Sequence, residues 1–172
     1  MPGSDVEADI QGAKPPYYAI TVQPTFAGFY QHVLYRPSDG TLTNLSTCGS
    51  GVTADTTRLA AVHSSLLSAG FPSSIVIANT GNAAQAVTLG ISDARDGMRL
   101  AAYTSPQIAA NGQLIVSMDA IEAATNLHPS PGLQHYVVRV EGPFTGHLQH
   151  LVDNKAASVI TDMTTACAVV GP

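Results

Sequence analysis

The stretch from Tyr136 to Cys167, YVVRVEGPFTGHLQHLVDNKAASVITDMTTAC, decides the fold because a second version of it occurs earlier in the chain. The earlier version runs from Tyr18 to Cys48 and reads YAITVQPTFAGFYQHVLYRPSDGTLTNLSTC. The two align at a constant offset of 118 residues until Ala166 adds one residue before the second cysteine. Self-similarity of this length predicts a partial internal duplication. The identical pairs are Tyr18/Tyr136, Val22/Val140, Phe26/Phe144, Gly28/Gly146, Gln31/Gln149, His32/His150, Thr43/Thr161, Thr47/Thr165 and Cys48/Cys167.

Short runs of alternating apolar and polar residues, bounded by turn residues, extend over most of the chain and predict β-strands. Many short strands at a spacing of about 8–12 residues favour an all-β, immunoglobulin-like β-sandwich. One short helix is expected from Asp119 to about Thr125, with Asp119 and Glu122 as a capping box and Pro129 beyond its end. The predicted strands lie near 17–23, 28–35, 41–46, 60–67, 74–79, 85–91, 98–104, 112–118, 134–141, 146–152 and 157–163.

Turn residues separate these runs. Asn79-Thr80-Gly81-Asn82 tolerates the positive φ that a tight hairpin requires, so a hairpin is predicted there. Asp93–Gly97 and Asn111-Gly112 are further turn signals. The stretch Pro37–Gly40 in the first version is matched by Asp153–Lys155 in the second, so both versions are expected to turn at the same point.

The duplication suggests three parts: an extended N-terminal tail over residues 1–16, an incomplete first repeat of three strands over 17–50, and a complete β-sandwich repeat over 51–172. An incomplete unit next to a complete one leaves sheet edges that another copy could complete by strand addition. Pro15, Pro16, Tyr17 and Tyr18, at the end of the tail, are therefore the expected contacts with a partner or a neighbouring subunit.

Composition argues against two classes of partner. The net charge is −5, and the basic residues are scattered rather than clustered, so no nucleic acid is expected as a partner. No apolar run approaches the ~18 residues that span a bilayer, and the acidic N-terminus does not resemble a secretory signal. Charged residues are only 11% of the chain, against about 25% in soluble domains, which is typical of secreted or particle-forming proteins.

Six histidines invite a metal hypothesis, but their spacing does not support one. His147 and His150 are three residues apart, which places them on opposite faces of a strand. The duplicated pairs Gln31-His32 and Gln149-His150 are interpreted as core residues with hydrogen-bonded imidazoles, and a metal or pH-sensing role is the less favoured alternative. No metal site and no cofactor are expected.

No catalytic motif emerges from the sequence. Asp93 and Asp96 could ligate calcium, but too few acidic positions accompany them, and a plain turn is preferred. The stretch Cys48–Gly51 is not a nucleophile elbow, and the few glutamates form no recognisable catalytic pair. Cys48 and Cys167 occupy equivalent positions, so they are either disulfide partners in an oxidising compartment or small buried apolar residues.

The motifs Ile75–Gly81 (IVIANTG), Ala86–Gly97 (AVTLGISDARDG), Phe144–Leu151 (FTGHLQHL) and Ile160–Cys167 (ITDMTTAC) resemble tandem, immunoglobulin-like β-sandwich repeats of secreted or surface bacterial proteins with uncharacterised functions. The resemblance covers nearly everything after the N-terminal tail. It implies a modular, non-catalytic domain located outside the cell or on its surface.

The sequence therefore favours a non-enzymatic structural subunit that self-assembles or decorates a larger extracellular assembly such as a filament, a surface layer or a virion. Its expected partners are copies of itself or a related β-sandwich subunit, through exchange of the tail or an edge strand. The alternative is a monomeric extracellular binding or adhesion module that uses loops of the sandwich. A hydrolase is a third hypothesis, because a catalytic group assembled in space leaves no local pattern.

Overall fold

The computed structural model describes residues 33–36, 41–44 and 57–164 of the chain. Along these residues the strands follow one another with one 3₁₀ turn, Ser65–Leu67, and one helix, α1 (Met118–Thr125). The strands are β1 (Val33–Arg36), β2 (Thr41–Asn44), β3 (Arg58–His63), β4 (Ser73–Asn79), β5 (Thr88–Asp93), β6 (Arg99–Thr104), β7 (Gln113–Ser117), β8 (His135–Glu141), β9 (Gly146–Asn154) and β10 (Val159–Asp162).

Eight of these strands form two antiparallel sheets that share one hydrophobic core, as in a β-sandwich. One sheet has the order β3-β8-β5-β6, and the other has the order β10-β9-β4-β7. The prediction of a mostly β chain with one short helix is confirmed. The most deeply buried core side chains come from both sheets and from α1; they include Leu59, Val62, Ile75, Ile77, Leu89, Ile91, Ile121, Tyr136, Val138 and Leu148.

β4 is the central strand of its sheet. It pairs with β7 on one side and with β9 on the other, and Ile75 lies between Val116 and His150 in the two registers. β4 is buried or half-buried along its whole length, and it accordingly has the apolar run Ile75–Ala78 at its centre. Its first and last residues, Ser73 and Asn79, are nevertheless polar and almost fully buried.

Helix α1 begins one residue earlier than its sequence pattern indicates, and the predicted capping box is wrong. Ser117 is the N-cap, and its hydroxyl accepts a hydrogen bond from the amide of Ala120 at 3.2 Å. The helix ends at Asn126, whose left-handed backbone (φ 53°) closes the last turn before any proline is reached. Glu122 is free of a capping role and points into the core instead.

The hairpin predicted at Asn79-Thr80-Gly81-Asn82 is also wrong. β4 does not pair with β5, because the segment between them crosses from one sheet to the other. The turn signal at Asp93–Gly97 is borne out: β5 and β6 form an antiparallel hairpin, and Gly97 has the positive φ (75°) that the turn requires. Asn111 also has a positive φ, 55°, just before β7.

The Phe144-Thr145-Gly146 corner shows why glycine starts β9. A Cβ atom on Gly146 would collide with the carbonyl oxygen of Ala78 and with the ring of Phe144. The neighbouring Thr145 carbonyl accepts a hydrogen bond from the amide of Thr80 at 3.0 Å. The corner thus brings the first residue of β9 close to the last residues of β4.

β1 and β2 form a separate antiparallel hairpin in which Val33 pairs with Asn44 and Arg36 pairs with Thr41. In the later hairpin, Leu151 of β9 pairs with Asp162 of β10, and Asn154 pairs with Val159. The register of the first hairpin therefore equals that of the second at the offset of 118 residues. β2 lies alongside β10 without joining its sheet. The second hairpin turns at residues 155–158, slightly later than the Asp153–Lys155 turn that was expected.

Candidate functional site

Three histidine rings meet at one end of the sandwich. His63 ends β3 and His135 begins β8, and the two are direct partners across these strands. His150 comes from β9 in the opposite sheet. The ring centroid of His63 lies 5.3 Å from that of His135 and 5.8 Å from that of His150, with edge-to-face geometry in both pairs. We call these three residues the histidine cluster.

His150 is the buried member of the histidine cluster, with no exposed side-chain surface. Its Nε2 atom lies 2.7 Å from the hydroxyl oxygen of Ser73 at the start of β4. Its Nδ1 atom is buried and makes no hydrogen bond. Burial lowers the pKa of His150 to about 4, and the nearby rings of His63 and His135 contribute to the same shift. The imidazole is therefore neutral at physiological pH.

The outer rings of the histidine cluster lie closer to solvent. His63 Nδ1 lies 3.2 Å from the carbonyl oxygen of Phe71, whose ring packs edge-to-face on His63. Burial lowers the pKa of His135, and His63 adds to the effect. His147, by contrast, lies on the outer face of β9, as its spacing from His150 predicts.

The backbone of His150 also holds the residues that follow β10. Its carbonyl oxygen accepts a hydrogen bond from the amide of Met163 at 2.7 Å. Its amide donates to the hydroxyl oxygen of Thr164 at 2.9 Å. The buried imidazole and the end of β10 are therefore parts of one local structure.

β10 is an edge strand that carries exposed apolar side chains. Among the strands in the described ranges, it pairs with β9 alone. Ile160 on β10 is 36% exposed, and Met163 just after it is 43% exposed. Edge strands of this kind usually carry lysine, proline or a bulge that prevents pairing with another chain. β10 reads VITD and has none of these residues.

The opposite end of β4 is closed by a single buried amide, that of Asn79. Its Oδ1 atom accepts hydrogen bonds from the amide of Gly81 at 2.9 Å and from Nε2 of Gln85 at 2.7 Å. Its Nδ2 atom donates to main-chain carbonyl oxygens of two different loops. These oxygens belong to Ala83, Ile108 and Ala109, at 2.9, 3.1 and 3.0 Å.

A buried carboxylate links α1 to the sandwich. Oε1 of Glu122 accepts hydrogen bonds from the hydroxyl of Tyr136 at 2.9 Å and from the amide of Ser65 at 3.0 Å. Burial raises the pKa of the Tyr136 hydroxyl, and the bond to Glu122 raises it further. The arrangement fixes the helix against β8 and the 3₁₀ turn.

The Asp93–Gly97 turn is built as a turn and not as a calcium loop. Both carboxylate oxygens of Asp93 contact the guanidinium of Arg95, with the shortest distance 2.6 Å. This hydrogen bonding lowers the pKa of Asp93. Asp96 accepts a hydrogen bond from the amide of Met98 at 2.8 Å. Each carboxylate is thus engaged within the hairpin.

A shallow depression of about 370 Å³ lies beside the histidine cluster. His135 and Arg95 contribute polar groups to it, and Ala61 sits at a bulge in β3 with a positive φ of 54°. The remaining lining residues are Ala94, Pro131, Gly132 and Gln134.

Several residues singled out in the sequence lie outside the described residues. Pro15, Pro16, Tyr17 and Tyr18, the pair Gln31-His32, and the cysteines Cys48 and Cys167 all belong to this group. Of the predicted core pairs, only Gln149 and His150 are described. Gln149 Nε2 lies 3.5 Å from Oδ2 of Asp162 on β10.

Sequence reasoning identified His150 but missed the residues around it. His63, Ser73 and His135 lie far from His150 along the chain and belong to no common motif. Only the strand order and register bring them together. Within residues 33–36, 41–44 and 57–164, no group of three or more His, Cys, Asp or Glu side chains has a geometry that could hold a metal ion. In the same residues, no helix is long and apolar enough to cross a membrane.

Comparison with protein-family models, with curated proteins and with solved structures finds no match for this chain.

Proposed function

We propose that this chain is a non-enzymatic structural subunit that associates with copies of itself, or with a related β-sandwich, through the β10 edge. The assembly would be extracellular, in the form of a filament, a surface layer or a virion. The proposal includes an immunoglobulin-like topology with a partial internal duplication. β4 pairs with β7 and β5 pairs with β8, as strands B with E and C with F do in such domains, which supports that topology, whereas the pairing of β9 with β4 has no counterpart in it.

The observation that carries the proposal is the placement of the two hairpins. They share one register at the 118-residue offset, and the earlier one lies alongside β10. A contact that a chain makes with its own hairpin can also be made with the hairpin of a second copy. Such exchange of identical elements between protomers requires no new surface.

The chemistry of the β10 edge supports association as well. The edge has one strand partner within the described residues, and Ile160 and Met163 are exposed beside it. Backbone hydrogen bonds from an added strand, together with burial of these two side chains, would stabilise the contact. The single charged residue of the strand, Asp162, accepts a hydrogen bond from the amide of Thr164 at 2.8 Å.

Three carboxylates in the described part of the chain bind other side chains of the fold, which favours a non-enzymatic role. Glu122 binds Tyr136 inside the core, and Asp93 binds Arg95. Glu141 on β8 forms an ion pair with Arg99 on β6 of the same sheet. The contact with Arg95 accounts for the lowered pKa of Asp93.

A monomeric binding or adhesion module is the second candidate. The depression beside His135 and Arg95 favours it, because that depression is lined by loops at one end of the sandwich. Its shallow shape suits a protein or glycan surface better than an enclosed small molecule.

The test compares three full-length proteins by light scattering over a range of concentrations at neutral pH. In Ile160→Lys a charge is added to the β10 edge, and in Met98→Lys the same change is made at a turn where the side chain is 58% exposed. The wild type should associate as its concentration rises, and Ile160→Lys should need a concentration about tenfold higher. Met98→Lys should behave as the wild type.

Two outcomes would overturn the proposal. A wild type that stays monomeric at every concentration would favour the binding module. Equal weakening by Ile160→Lys and Met98→Lys would show that added charge, and not the β10 edge, governs association. Circular dichroism of each variant ensures that only folded proteins are compared.

A further inference from the structure

The histidine cluster joins the two sheets at the end of the sandwich where β10 ends beside β9. His63 and His135 belong to one sheet, and His150 belongs to the other. His150 reaches the first sheet with its ring and holds Met163 and Thr164 with its backbone. A change in the ring position of His150 is therefore transmitted directly to the segment after β10.

The site of His150 accommodates only a neutral ring. A neutral imidazole has one N–H donor and one acceptor nitrogen, and Ser73 satisfies one of the two nitrogens. The other nitrogen, Nδ1, has no partner and no contact with solvent. Protonation would add a charge and a second donor at a position with no acceptor, which is costly in a buried site.

The charged and titratable groups around the histidine cluster offer no compensation. The nearby rings of His63 and His135 also disfavour protonation of His150. On the β10 side, Asp162 engages Thr164 and Gln149. On the β8 side, Arg95 lines the same depression as His135 and is paired with Asp93.

The direction of the pH effect follows from the pKa of His150. The pKa is about 4 in the folded chain and 6.5 for an ordinary histidine, so the unfolded chain takes up the proton first as the pH falls. Stability is therefore complete above pH ~6.5 and is lost progressively as the pH falls toward ~4. At pH 5 this one group lowers the ratio of folded to open chain about 20-fold relative to pH 7.

We propose that the histidine cluster is an acid-sensitive switch that loosens β10, and with it the contact between subunits, as the pH falls from about 7 to about 5. The loosening of β10 rests on the contacts of the histidine cluster and on the lowered pKa of His150, and it does not depend on the function proposed above. The loss of the contact between subunits rests on the function proposed above.

Hydrogen exchange of the full-length protein tests the first part at a concentration too low for association. Between pH 7 and pH 5, protection of the β10 amides should fall about 20-fold after correction for the chemical rate. Protection of the β6 amides (Arg99–Thr104), in a strand far along the opposite sheet, should fall less. A parallel loss in β6 and β10, or no loss in either strand, would overturn the switch.

Two histidine variants assign the effect to the histidine cluster. His63→Gln removes one of the two rings that add to the lowered pKa of His150, so the acid-induced loss of β10 protection should shrink. His128→Gln makes the same chemical change at an exposed loop histidine and should leave the loss unchanged. An equal response of the two variants would rule out the histidine cluster as the cause. NMR titration of the His150 ring, which should remain neutral to near pH 4, checks the same point without a substitution.

Light scattering at pH 7 and pH 5 then separates the two proposals. Loss of β10 protection in a chain that never associates would support the switch and contradict the proposed function. Association that is equally strong at both values, with constant β10 protection, would support the proposed function and contradict the switch.

Discussion

The two ends of β4 solve the same problem in different ways. Each end buries a polar residue, Ser73 at the start and Asn79 at the finish. At the Asn79 end every polar atom of the side chain has a partner, and the partners are amide or carbonyl groups that do not titrate. At the Ser73 end the partner is His150, a titratable ring whose second nitrogen has no hydrogen bond.

The hydrogen bonds of Asn79 are therefore independent of pH, whereas the contact between Ser73 and His150 depends on it. A buried amide with all its hydrogen bonds made has the same energy at any pH between 4 and 9, as a non-titrating group must. A buried neutral histidine is stable only while the solution is poor in protons. β4 thus has at one end a buried side chain whose hydrogen-bond partners do not titrate, and at the other end one whose partner does.

The largest expected effect lies at the Asn79 end. Asn79→Ala removes the hydrogen bonds of a buried amide to Gly81, Gln85 and three main-chain oxygens, and we expect it to lower the free energy of unfolding by about 3 kcal/mol. The loss should be the same at pH 7 and pH 5, because neither Asn79 nor any of its hydrogen-bond partners titrates. Urea unfolding at both values measures it, with Asn82→Ala, at an exposed position, as the control. A loss that depends on pH would break the comparison.

A smaller effect is expected at the other end of the strand. Ser73→Ala removes the 2.7 Å contact and leaves both ring nitrogens of His150 without partners. The free energy of unfolding at pH 7 should fall by about 1–2 kcal/mol. Ser74→Ala, one residue later and on the other face of β4, should change it by less than about 0.5 kcal/mol. Equal losses for the two variants in urea unfolding would mean that the contact with His150 contributes nothing.

The smallest effect sharpens the comparison through the backbone. Ala61, beside the histidine cluster, holds a φ of 54°, which strains the backbone of an alanine. At the other end of the sandwich the positive φ falls on Asn111, and asparagine tolerates this conformation better. Ala61→Gly should therefore raise the free energy of unfolding by about 0.5–1 kcal/mol. Ala60→Gly, at the preceding position of β3, should lower it instead. Thermal unfolding of both variants decides, and a loss in Ala61→Gly would mean that the backbone there is unstrained.

The strands were predictable where one physical signal dominates. β4, β6 and β8 begin and end within about a residue of their apolar runs, because burial against a neighbouring sheet leaves no choice of face. The helix was predictable for its composition, but its cap was not. Ser117 and Asp119 are both good caps, and Glu122 is drawn into the core by Tyr136.

The candidate site was predictable only in part, since it depends on strand order. The duplicated Gln-His pair drew attention to His150, and alternation placed it on the buried face of β9. Nothing local links it to His63 or His135, which reach it across two sheets. Likewise, the Asn79–Asn82 stretch has the composition of a hairpin, yet Asn79 uses its amide to join loops that are distant in sequence.

The closure at Asn79 bears on how freely the surrounding loops can vary. The three oxygens that its amide nitrogen contacts are main-chain atoms, so the side chains at those positions take no part in the contact. Ala83 and Ala109 are exposed, so related sequences can exchange the side chains at positions 83 and 109 while these hydrogen bonds persist, provided that the asparagine stays. Ile108 is part of the hydrophobic core and is not free to vary in this way. The loops at that end can therefore acquire new surface chemistry at their exposed positions.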